Sequence, residues 1–188
     1  MPYTDLTTLS SGATVYAVDW NDLVDGVNRV NSGSTSVGRP AVMASDTSTS
    51  TLSTGTWTLL TFASEEFDTQ GLHSTTTNTS RLTVPSGESG LYQLHGMVTL
   101  DYSTSGKTVS VQIRKNASGS VSGGTLIGQA TTMLSDNSLI ISAATINTLV
   151  RLASSDYVEL FVSQNSGSSL ALAGGTLAHR FGMIWQTS

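Results

Sequence analysis

From Gly90 to Tyr102 the chain alternates in side-chain character with a period of two. Tyr92, Leu94, Val98, Leu100 and Tyr102 fall on one face, while Gln93, His95, Thr99 and Asp101 fall on the other. Successive side chains of a strand point to opposite sides, so this pattern specifies a half-buried strand and disfavours a helix. Lys107 to Asn116 repeats it, with Val109, Val111 and Ile113 inward and Ser110, Gln112 and Arg114 outward. Further strands are predicted at 56–62, 80–85, 125–134, 139–150, 156–164 and 176–186, separated by Gly, Ser and Asn turns. About eight strands of this length fill two packed sheets. The predicted fold is all-β: an antiparallel β-sandwich of the jelly-roll kind.

Composition removes several function classes. Charged residues are only 11% of the 188, against roughly 25% in a typical soluble domain. Polarity comes instead from serine and threonine, which suit turns and strands respectively. With a net charge of −5 and only two lysines, the chain lacks the dense cation needed to grip a nucleic-acid backbone. Without cysteine it has no disulfide, thiolate nucleophile or thiolate-bound metal. No apolar run reaches the ~18 residues of a membrane span, and the N-terminus has no basic-then-apolar leader. The expectation is a chain with no membrane segment, not exported by an ordinary signal.

The first 38 residues read differently. Asp19 to Val30 is the one convincing helix, because Trp20, Leu23, Val24 and Val27 recur at three- and four-residue spacing on one stripe. Asp19 suits the cap and Asp22 the first turn. So short a helix is marginal alone, so its stripe must dock on something. It packs on its own domain or anchors to another protein. Asn31 to Gly38 is a Ser/Gly linker with little to pack, which favours the anchor. The predicted organisation is an anchoring arm over 1–38, with a helix at about 19–30, and a head over 39–188.

Candidate chemistry is sparse. Gly87-Glu88-Ser89-Gly90 runs into a strand rather than a helix, so it reads as a β-turn and not a nucleophile elbow. His73, His95 and His179 fall in a loop and two separate strands, without metal-ligand spacing. Glu65, Glu66 and Asp68 read as a solvated loop, with neither the spacing of a calcium loop nor that of a catalytic carboxylate pair. The sequons at Asn78 and Asn116 carry little weight without a secretory leader. The expectation is no catalytic residue, no metal and no cofactor.

Val84-Pro85 followed by Gly90-Leu91-Tyr92-Gln93-Leu94, then Ser155-Asp156-Tyr157-Val158-Glu159-Leu160-Phe161-Val162, then Arg180-Phe181-Gly182-Met183-Ile184 stand in this order towards the C-terminus. Together these three patterns resemble the jelly-roll family of tumour necrosis factor and the complement globular head. Leu94 and Gly96 stand where the complement-type pattern prefers aromatics. The segment from Gly12 to Val24, and Phe67-Asp68-Thr69-Gln70-Gly71-Leu72-His73, resemble tailed-bacteriophage virion proteins: capsid decoration proteins, head fibres and tail-fibre tips. That second resemblance implies a homotrimeric, non-enzymatic component on the virion's capsid surface, made in the host cytoplasm.

A trimer needs a surface. If Val158, Leu160 and Val162 face the core, Tyr157 and Phe161 lie outside, and exposed aromatics on a charge-poor protein mark interfaces. The expected threefold contact is Tyr157 and Phe161 with Leu91, His95 and Met97; the alternative is a loop covering the two aromatics within one subunit. Function then reads as a capsid decoration protein, docked on the major capsid protein or another virion protein through Trp20, Leu23, Val24 and Val27. The rival reading is a tail-fibre tip or adhesin whose loops at 71–80 and 116–124 recognise a host-surface glycan or protein.

Overall fold

The structure, a computed structural model, describes residues 39–100, 107–134, 142–175 and 179–187. All of them belong to the unit Arg39–Ser188. Trp20, Leu23, Val24 and Val27, with the helix predicted around them, lie outside the described residues, as do Tyr102 and the first three residues of the strand predicted from Leu139.

The described residues form twelve strands: β1 (Ala41–Asp46), β2 (Thr51–Leu52), β3 (Thr58–Leu59), β4 (Ser64–Asp68), β5 (Arg81–Thr83), β6 (Gly90–Leu100), β7 (Thr108–Lys115), β8 (Thr125–Met133), β9 (Ser142–Leu152), β10 (Tyr157–Gln164), β11 (Leu170–Ala171) and β12 (His179–Thr187). One sheet has the order β4-β1-β12-β6-β9 and the other β3-β10-β7-β8, with β5 also on β10; β11 and β2 form a separate ribbon. Every paired strand runs antiparallel. This is the antiparallel jelly-roll sandwich that the alternation predicts.

The core lies between the two sheets. Tyr92, Leu94 and Val98 of β6, Phe181 and Met183 of β12, and Val42 and Ala44 of β1 are buried against Val109, Val111 and Ile113 of β7 and Val158, Leu160 and Val162 of β10. Burying each such side chain is worth about 1.5–3 kcal/mol. Phe62 and Phe181 pack with ring centroids 5.8 Å apart. The two sheets approach closely at Gly96, where an added Cβ would sit 2.9 Å from both Ile146 Cγ2 and Leu160 Cδ1. That explains why no aromatic side chain occupies this position: the far sheet already fills the space.

Several local expectations are corrected. Glu65 and Glu66 are not loop residues but lie in the edge strand β4, which their double-sided exposure conceals. The strand predicted over 56–62 keeps ladder pairing only at Thr58–Leu59, although Leu60 and Phe62 are buried beyond it. Two residues expected to face outward are covered. Gln112 is buried, its Nε2 donating to Gln129 Oε1, and Thr99 is buried where its N–H donates to His179 Nδ1.

Candidate interaction surface

The outer face of the five-stranded sheet is built by cross-strand register. One row runs Phe67, Met43, Gly182, His95, Asn147 across all five strands. Neighbouring rows run Ala41, Ile184, Gln93, Leu149 and Ser45, Arg180, Met97, Thr145. Directly paired residues point to the same side of a sheet, so Phe67, Met43, Ile184, Leu149, Met97 and Leu91 share this face. Phe67, Ile184 and Leu149 are 44%, 40% and 60% exposed, and Leu91, His95, Met97 and Met43 are half-buried. Gly182 keeps the face level, since an added Cβ would sit 2.8 Å from Met43 Cε.

Several polar groups on this face pair with one another, while Arg151, opposite Leu91, is exposed. Arg180 Nε lies 2.8 Å from Glu66 Oε1, His95 Nδ1 is 2.8 Å from Asn147 Oδ1, and Gln186 Nε2 donates to Gln93 Oε1. Where β6, β9 and β12 meet, Leu91, Gln93, Asn147, Thr148, Leu149 and Gln186 line a shallow, open cavity of about 460 Å3.

The outer face of the second sheet is different. The loop 116–124 folds over it, and its Gly119 N–H donates to Glu159 Oε2 at 3.0 Å. Glu159 is 1% exposed; its Oε1 also accepts from Arg81 Nε at 3.1 Å and Ser80 Oγ. The Arg81 guanidinium lies 4.1 Å from the centroid of the Tyr157 ring. The Tyr157 hydroxyl bonds the Ser118 amide and hydroxyl. Asn116 and Ser118 hold positive φ of 55° and 53°, and the Asn116 side chain clamps the turn by donating to Asp156 Oδ1 and accepting from Tyr157 N–H. Burial pushes the Asp156 carboxyl up, but bonds from the Ala153 amide, Asn116 and Lys115 outweigh it and hold it below its ordinary value.

These facts correct the expected threefold set. Phe161 is 1% exposed within a single chain, flanked by Leu59 and Gln112 in register, so it is not a bare outer aromatic. Tyr157 is half-buried and bonded by the loop that the alternative reading placed there. Moreover, β10 and β6 belong to opposite sheets. Tyr157 and Phe161 therefore cannot share one face with Leu91, His95 and Met97. Sequence reasoning missed Phe67, Met43, Ile184 and Leu149. Their signal was the same alternation, but assigning them to one face needs the strand order.

The other motifs hold loops in place. The Asp68 carboxylate accepts the amides of Gln70, Leu72 and His73, which accounts for an Asp at that point of the Phe67–His73 segment. The His73 ring bridges Glu65 Oε1 at 2.8 Å and the Thr79 carbonyl at 3.1 Å, leaving Thr75 to Asn78 as an exposed tip. Gly87-Glu88-Ser89-Gly90 is the predicted turn: Glu88 N–H donates to Pro85 O, and Ser89 Oγ accepts from Ser154 N–H. Among the described residues no cluster of three or more His, Asp or Glu is placed to hold a metal ion.

No protein-family model matches the sequence, and no curated protein does. Among solved structures, murine APRIL, a member of the tumour necrosis factor family, matches at pH 5.0 and at pH 8.0 with TM-score 0.56. Identity is 11% and 9%, over 79% of this chain and 99% of that one. The globular domain of zebrafish complement 1qA gives 0.49 at 12% identity, over 80% of this chain and 100% of that one. At such identities the likeness to APRIL is one of fold. The head has the jelly-roll fold of the tumour necrosis factor family.

Proposed function

We propose that this protein is a non-enzymatic virion component, a homotrimeric capsid decoration protein. Copies associate through the outer face of β4-β1-β12-β6-β9, and residues 1–38 dock on the capsid. The observation that carries the self-association is that face itself: an apolar surface of six large side chains crossed by one ion pair, Glu66 with Arg180, and bordered by the exposed Arg151 opposite Leu91. A second copy matches such a largely apolar face, with Arg151 left at the solvated rim. The Gly12–Val24 segment supports the virion setting, and the Trp20, Leu23, Val24 and Val27 stripe supports the anchor.

Light scattering on the full chain tests the assembly: three chain masses are expected at micromolar concentration, and a monomer refutes it. Trp20→Glu combined with Leu23→Glu tests the anchor. The variant should remain a trimer and lose capsid binding, whereas retained binding refutes the anchor. The exposed Thr75–Asn78 tip, held on the rigid Asp68 and His73 base, favours a second reading as a tail-tip adhesin for a host-surface glycan or protein. Immunogold labelling of particles separates the two: label over the heads supports decoration, and label confined to the tail tip supports adhesion.

A further inference from the structure

The proposed self-association does not itself say which parts of two copies meet. We infer that the cavity at the junction of β6, β9 and β12 is a socket for Phe67 of a second copy; this rests on the self-association reading. Phe67 and the cavity stand apart on one face. Phe67 lies on the edge strand β4, whereas the cavity spans β12, β6 and β9, two to four strands away. Its centre, over β6, is three strand spacings from β4, about 14 Å, so Phe67 cannot fill the cavity of its own chain.

The chemistry of the two parts matches. Leu91 and Leu149 supply apolar walls, and the amides of Gln93, Asn147 and Gln186 supply a neutral rim. No charged side chain is among its lining residues, although Arg151 stands beside Leu91 at the edge, and a phenyl ring finds hydrocarbon walls. Phe67 is the large aromatic left 44% exposed at the far edge. A buried aromatic anchor in a pocket is where binding energy concentrates in interfaces. Because knob and socket are different patches on the same chain, the contact is heterologous, and such contacts close into rings when the rotation permits. A threefold ring uses each knob and each socket once.

The absence of cysteine permits a clean test on the full chain. In Phe67→Cys/Leu149→Cys, oxidation or a short bismaleimide should give covalently closed trimers on a denaturing gel. Each single variant alone should stay uncross-linked, and a mixture of the two singles should give dimers only. Phe67→Ala should raise the concentration at which the assembly half-dissociates by at least about 30-fold, with unchanged thermal unfolding of the isolated chain as the control for folding. A trimer that fails to link 67 to 149, or links 67 to 67, overturns the socket while leaving self-association standing. A wild-type chain that is monomeric overturns self-association itself, and the socket with it.

Discussion

Glu159 is the point at which the roof over the second sheet is fastened, so removing its charge has a calculable effect. Its Oε1 accepts from Arg81 and Ser80, and its Oε2 from the Gly119 amide; all three partners are donors. Glu159→Gln keeps the shape but turns an NH2 group towards a donor, whichever way the amide is set. Either the Arg81 and Ser80 side or the Gly119 side therefore loses its acceptor. Removing one partner of a buried ion pair costs about 3–5 kcal/mol. Here Arg81 retains 26% side-chain exposure and the Tyr157 ring beside it, so a figure of about 2–4 kcal/mol is appropriate. For a chain of this size ~3 kcal/mol lowers Tm by about 6–12 °C. Thermal unfolding reads the total, and hydrogen exchange at the Gly119 amide reads the roof alone, which should open before the sheet does. A Tm within about 1 °C of wild type, with unchanged exchange at Gly119, refutes the fastening role.

Gly96→Ala should destabilise the head by about 1–2 kcal/mol in urea unfolding: overpacking against Ile146 and Leu160 costs about 1–3 kcal/mol, less the backbone-entropy gain of removing a strand glycine. An equally stable variant would mean the sheets are not closely apposed there. Burial, aided by the Glu88 charge, pushes Tyr92 up from 10.0 to about 12. Its stabilising effect is therefore complete below pH 10 and lost as pH rises towards 12; Tyr92→Phe should flatten that alkaline limb. Burial pushes His179 down, partly opposed by the Asp46 charge and the Ser48 backbone. Its contribution is then present above the unfolded value near 6.5 and lost as pH falls through the lower folded value. His179→Asn, which keeps an acceptor for Thr99 N–H, should unfold with a shallower acid limb, and an unchanged limb would remove His179 as its cause.

The sandwich was legible wherever one face of a strand meets the core and the other meets solvent. In β6 and β7 the alternation located the elements, and in β10 it located Val158, Leu160 and Val162 as core. It failed where burial is not one-sided. β4 is exposed along most of its length, so Glu65 and Glu66 carried no period. Phe161 and Glu159 are buried on the outward side of β10, Glu159 beneath a loop whose position no local pattern encodes. The candidate surface was half legible: Leu91, His95 and Met97 were placed on an outer face correctly. Their true companions, Ile184, Leu149 and Phe67, join them only through register between segments up to about 140 residues apart, and such pairing is set by packing rather than by neighbours in sequence.

The roof over the second sheet has a colloidal consequence. A chain with 11% charged residues and a net charge of −5 has little electrostatic repulsion to keep copies apart. Protection against uncontrolled association must come from geometry. Over β10, one sheet's outer side is covered by the chain's own Ser- and Gly-rich loop, held down by the Glu159 carboxylate, while Leu126 and Met133 stay exposed on β8 of the same sheet. If copies associate through the other sheet as proposed, the roofed part of this one offers them no further contact, because the loop has already taken the place a neighbour would need, and growth beyond that assembly is confined to the exposed β8 edge.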